Sequence, residues 1–109
     1  MSHQGWANYE TWAVKLWMDN EEPSYLHWKD FTNGMMDHPP TGNEFISAER
    51  KLVHELADNV KDYHEDQMPE LEGFAGDLLN AAFSEVDWTE IAESLIRDAN
   101  EERAYEASA

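Results

Sequence analysis

The chain has 109 residues, no cysteine and a formal net charge of −17, from 24 acidic against seven basic side chains. That length suits one domain, and the missing thiols exclude a disulfide framework and any zinc-thiolate site. An acid excess this large repels nucleic acid and anionic membrane and attracts basic protein surfaces, while 41% hydrophobic and 12% aromatic content is too much for a disordered acidic tail.

The first helix is expected over residues 8–20. Asn8 can cap it, Glu10 suits the positive end of its dipole, and Tyr9, Trp12, Ala13, Leu16 and Trp17 form the apolar stripe, with Val14 and Met18 widening the apolar face. Pro23 fits the first turn of a second helix that carries Tyr25, Leu26, Trp28, Phe31 and Met35. Asn33-Gly34 weakens its end, and Pro39-Pro40 forces a break. The third helix is expected over 43–66, opened by a capping box of Thr41 and Glu44, with Phe45, Ile46, Leu52, Val53, Leu56, Val60 and Tyr63 inward. Pro69 should open the fourth helix, which should bury Leu71, Phe74, Ala75, Leu78, Leu79 and Ala82. Gly73 and Gly76 there imply close approach of another helix, since each lowers helicity by about 1 kcal/mol. Asp87 and Glu90 cap the fifth helix, Val86 staples onto Ile91, and Trp88, Ile91, Ala92, Leu95, Ile96 and Ala99 form its stripe.

No segment alternates with strand period. The expectation is therefore an all-α fold, a single compact domain of about five helices over 1–109, with Trp12, Leu16, Leu52, Leu56, Leu78, Ile91 and Leu95 buried together. Within it lie an aromatic-rich block at about 1–40, an acidic helical block at about 41–102 and a frayed tail at 103–109. Residues 1–43 carry six acids and two bases, whereas 44–109 carry eighteen and five. The first residues have neither a basic n-region nor an apolar h-region, and no apolar run approaches the ~18 residues of a membrane span. A cytoplasmic protein without membrane contact is expected.

No pattern of catalytic residues stands out. His54 and His64 are ten positions apart, His64-Glu65-Asp66 lacks a second histidine at metalloprotease spacing, and Gly73-Phe74-Ala75-Gly76 lacks the Lys-Ser/Thr of a phosphate loop. No enzyme activity, metal site or cofactor is expected. The acids are more informative. Glu55, Asp58, Asp62, Glu65 and Asp66 fall roughly on the side of the third helix opposite Leu52, Leu56 and Val60, and Glu90, Glu93, Asp98, Glu101 and Glu102 can extend the surface, although Arg97 interrupts it. Carboxylates at i and i+4 repeat about every 6 Å, close to the spacing of phosphates along a strand. Such like-charge pairs cost a few tenths of a kcal/mol each, a cost glutamine would avoid. Trp6 and Trp28, if exposed, are candidate aromatic anchors for a partner.

Two strings carry a resemblance. Asn8-Tyr9-Glu10-Thr11-Trp12-Ala13-Val14-Lys15-Leu16-Trp17-Met18-Asp19-Asn20-Glu21 resembles the opening of small, acidic proteins of phages, plasmids and other mobile elements. Asp77-Leu78-Leu79-Asn80-Ala81-Ala82-Phe83-Ser84-Glu85-Val86-Asp87-Trp88-Thr89-Glu90-Ile91-Ala92-Glu93 is similar to the ending of the same group. The group has asparagine where Ala13 stands and leucine where Phe83 stands. The resemblance implies no reaction. It implies a mobile-element context, in which small acidic proteins are often anti-CRISPR or anti-restriction inhibitors of host defence. The functional expectation is thus a non-enzymatic inhibitor in the host cytoplasm. It would dock its acidic helices on the basic surface of a nucleic-acid-binding defence complex, without touching nucleic acid itself. The competing expectation is a structural or regulatory interaction protein whose acidity is adaptation to salt.

Overall fold

Helix starts in this chain are set by short polar side chains and by turns that redirect the backbone. The computed structural model describes residues 3–108 and contains α1 (Tyr9–Asn20), α2 (Glu22–Asp37), α3 (Ala48–Asp66), α4 (Gly73–Ser84) and α5 (Trp88–Ser108). The fold is all-α. Asn8 caps α1, its Oδ1 accepting the Thr11 amide at 2.9 Å. Asp87 does the same for Glu90 at 3.0 Å ahead of α5, and Pro23 sits in the first turn of α2. Before α1, His3 and Trp6 exchange backbone hydrogen bonds across Gln4 and Gly5, which both hold positive φ.

Two helix starts differ from expectation. α3 begins at Ala48, not at 43, because Asn43 spends its side chain on a turn: its Oδ1 accepts from the amides of Phe45 and Ile46. Ser47 then caps the helix through the Arg50 amide. Local side-chain bonding of this kind competes directly with helix, and it leaves Phe45 exposed. α4 begins at Gly73 rather than Pro69. Gly73 has φ +68°, a left-handed conformation that glycine adopts at little cost, and it redirects the chain into the helix. The close approach expected at Gly76 is real, but the neighbour is the Leu71 backbone carbonyl rather than another helix.

The core lies where α3 and α5 pack along each other, with α1 and α2 laid across them. α5 touches α1, α2 and α3 and is the hub of the bundle. Leu56, Val60, Ile91 and Ala92 are fully enclosed, and Met18, Trp28, Ala57, Val86 and Leu95 complete the cluster. α5 continues to Ser108 instead of fraying after Asn100. Arg103 holds it there, donating from Nε to Asn33 Oδ1 at 3.0 Å and from Nη2 to Asp37 at 3.0 Å, and Lys29 pairs with Glu102 at 2.7 Å. Ala109, the last residue of the expected tail, lies outside the described residues.

The expected apolar stripe of α1 does not face the core. Thr11, Lys15 and Met18 point inward, while Tyr9, Leu16 and Trp17 are exposed and Trp12 is half-buried. Polar residues can occupy the interior here because both are partnered. The Thr11 hydroxyl is bonded on two sides, and Lys15 Nζ lies 2.8 Å from Asp19 and 3.7 Å from Asp98. α4 also departs from expectation. It makes little contact with the other helices, and Leu71, Phe74 and Leu78 are exposed rather than buried. The Cα radius of gyration, 15.4 Å, exceeds the ~13 Å usual for about 100 residues, in keeping with this outlying helix and the long α5.

Candidate interaction faces

The acidic face of α3 comes first. Asp58, Asp62, Glu65 and Asp66 are exposed, and Glu55 is half-buried. At 100° per residue these five fall within roughly a third of the helix circumference, away from Leu56 and Val60. None of the four exposed carboxylates forms an ion pair among the described residues. On α5, Glu93 is exposed and Glu90 is half-buried, its Oε1 accepting the Ala7 amide at 2.9 Å. One Glu90 oxygen is thus engaged within the fold. Arg97 stands beside Glu90 and Glu93 around a shallow depression closed by Gln4 and Trp6.

Of the two tryptophans considered as anchors, neither is freely displayed. Trp28 is 2% exposed and stands at the centre of an aromatic cluster, with Phe31 at 5.5 Å, Tyr63 at 5.2 Å and His64 at 6.2 Å between ring centroids. It is a core residue. Trp6 is half-buried against the core. The histidines gather no metal site, and among the described residues no cluster of His, Asp and Glu has that arrangement. Burial beside Trp28 and Trp88 holds His64 below the ordinary histidine range, partly offset by the hydrogen bond its Nδ1 makes to the Val60 carbonyl at 2.8 Å.

The two strings quoted above meet in space. Asn8 Nδ2 donates to the Glu85 carbonyl at 2.6 Å, and Thr11 Oγ1 accepts the Asp87 amide at 2.8 Å while donating to Asn8 Oδ1 at 2.7 Å. Ala7 closes the same seam through Glu90. The side chains of Asn8, Thr11 and Glu90, with the Glu85 carbonyl and the Asp87 amide, thus form a latch that holds the start of α1 on the α4–α5 turn. Spacing within either string could not reveal this, because the three bonds that join the two ends each span about three quarters of the chain.

Two concavities escaped the sequence reading. One, of about 450 Å³, opens between α1, α2 and α5. Lys15, Trp28, Thr32 and Asp98 are among its walls, with Tyr25 and Tyr105 also lining it. Trp28 Nε1 and Thr32 Oγ1 have no hydrogen-bond partner among the described residues. The other, about 260 Å³ and almost wholly apolar, lies between α1 and α4 and is lined by Tyr9, Ala13, Val14, Met68, Leu79 and Phe83. The signal for it was in the sequence: α4 has one charged residue, Asp77, in twelve.

The molecule is thus a five-helix protein with a paired-acid face on α3 and a detached apolar helix. No curated protein and no solved structure matches it. The chain belongs to a family of unknown function (DUF7249), whose model matches residues 1–106.

Proposed function

We propose that this protein works by binding rather than catalysis, and that it docks α3 on the basic surface of a nucleic-acid-binding protein so as to exclude nucleic acid. The observation that carries the reading is the set Asp58, Asp62, Glu65 and Asp66, exposed, unpaired with any base among the described residues and arrayed at phosphate-like intervals. Favourable placement of a fold's acids would pair them with lysine or arginine at i+4. On α3 only Lys61 stands among them. The resemblance to mobile-element proteins supports a defence complex, of the CRISPR or restriction kind, as the target, and an inhibitor acting in the host cytoplasm.

The test is a phage-challenge assay in cells with a characterised defence system. Changing Asp58, Asp62, Glu65 and Asp66 together to Lys should abolish protection of the phage with the helix content intact. The control reverses four other exposed acids, Asp30, Glu44, Glu101 and Glu106. Equal loss from both sets would mean that only bulk charge matters. No loss from the α3 set, in cells where the native chain protects, would refute the reading.

A further inference from the structure

We infer that the groove between α1 and α4 is a second, apolar docking site, and that its occupant is an amphipathic helix with lysine or arginine flanks from a partner protein. The inference does not depend on the role given to α3.

Around α4, Phe74, Ala75, Leu78, Leu79, Ala82 and Phe83 cover roughly half the circumference at 100° per residue, and Asp77, Asn80 and Ser84 occupy the other half. Only part of that apolar arc is used. Leu79, Ala82 and Phe83 face α1 across the groove, while Phe74 is 83% exposed and Leu78 60%. The opposite wall is the stripe of α1 that a core would have claimed. Ala13 and Val14 line the groove, and Trp17, one turn further on, is 67% exposed. Tyr9 on the groove wall is also exposed, as is Leu71 just ahead of α4, so large apolar side chains flank the groove on both helices. Met68 on the floor supplies a side chain that adapts to varied partners.

Charge selects the occupant. Residues 62–96 hold ten acids and no base. Glu10 lines the groove itself, and Glu65, Asp66 and Glu70 line an adjoining depression that shares Met68, Leu79 and Phe83 with it. A second copy would bring the same ten acids against the first, in a molecule already at −17. A helix with an apolar stripe and cationic flanks fills the groove and pairs with its rim, the helix-in-groove mode of recognition.

The experiment titrates the isotope-labelled full chain, followed by amide NMR, with a synthetic amphipathic Leu/Lys helix of roughly five turns. Its comparison is a peptide of the same composition, shuffled to destroy the helical period. The expected result is amide shifts confined to residues 9–17 and 65–86, and affinity about tenfold or more above that of the shuffled peptide. Phe74→Asp and Leu78→Asp, at exposed positions that leave the fold intact by circular dichroism, should each weaken binding about tenfold. Each adds negative charge, so bulk attraction predicts the opposite sign. Asp58→Lys and Asp62→Lys, the two α3 reversals away from this rim, should lower affinity only through long-range charge and leave the shifted residues the same. Equal affinity for both peptides, or shifts centred on α3, would overturn the inference. So would sedimentation showing a dimer that Leu78→Asp disperses, since the face would then belong to a second copy.

Discussion

Thr11→Val is the sharpest probe of how the two ends of this chain are joined. The substitution keeps the shape of a side chain that is wholly buried and removes one oxygen. That oxygen accepts the Asp87 amide at 2.8 Å and donates to Asn8 Oδ1 at 2.7 Å. Two bonds are lost and the Asp87 N–H loses its protein acceptor. An orphaned buried donor costs about 1–3 kcal/mol, and the lower half applies because the seam is only part-buried. About 1–1.5 kcal/mol is therefore expected, a fall in Tm of roughly 4–8 °C per kcal/mol for a domain near this size. Thr11→Ser keeps both bonds and should lose only the ~0.8 kcal/mol or so of one buried methyl. Asn8→Ala removes the α1 cap, worth about 1 kcal/mol, and the partner of the Glu85 carbonyl. Urea unfolding of the two single variants and the double should give a coupling of about 0.5 kcal/mol or more, since both act on one network. A Thr11→Val variant within about 0.3 kcal/mol of the native chain, with additive singles, would refute the latch.

Three further outcomes are expected. Leu56→Ala, at a wholly enclosed site, should cost about 2–5 kcal/mol in denaturant unfolding, whereas exposed Leu78→Ala should stay within about 0.5 kcal/mol; similar losses at both would mean that α4 packs into the core. His64 lies below its ordinary value in the fold, so the unfolded chain binds the extra proton first; its contribution is present above the unfolded pKa near 6.5 and is lost as pH falls through the lower folded pKa. The stability difference between the native chain and His64→Gln should thus shrink in the native chain's disfavour from about pH 7 to about pH 5, and a flat difference would show equal titration in both states. Finally, an acidic surface that serves partner binding requires no molar salt: unfolding should be cooperative at about 0.1 M salt, where the Debye length is near 10 Å, and structure gained only toward molar salt would favour salt adaptation.

Capping residues and proline placement were legible from the sequence. Asn8, Pro23 and Asp87 act as read, and the α3 and α5 stripes of Leu56, Val60, Ile91 and Leu95 form the core as read. The α1 stripe misled because hydrophobicity alone does not decide which face is inside. Thr11 is inside through the Asp87 amide, 76 positions away, which no local window includes, and Lys15 joins its i+4 partner Asp19 to Asp98, 83 positions away. Asn43 hid the true start of α3, because Asx turns and N-caps draw on the same residue types. For the candidate faces, the α3 acids were readable from period alone. The engagement of Glu90 was not, since it depends on the Ala7 amide 83 positions away. The apolar character of α4 was readable, but the α1–α4 groove was not, because an apolar arc states that a helix is to be covered, not by what.

That α5 touches α1, α2 and α3, and α4 barely touches anything, has a consequence for synthesis. As the chain leaves the ribosome, α2 can meet α1 and α3, but the larger surface that α3 shares with α5 is missing. Leu56 and Val60 must wait for Ile91 and Leu95, and Asn8 for Glu85, so the core closes only once α5 is free. Until then the nascent chain displays four tryptophans from its first 28 residues. The acid excess of residues 1–87, eighteen acids against five bases, repels neighbouring chains on the same message and acts as its own protection against aggregation during that interval.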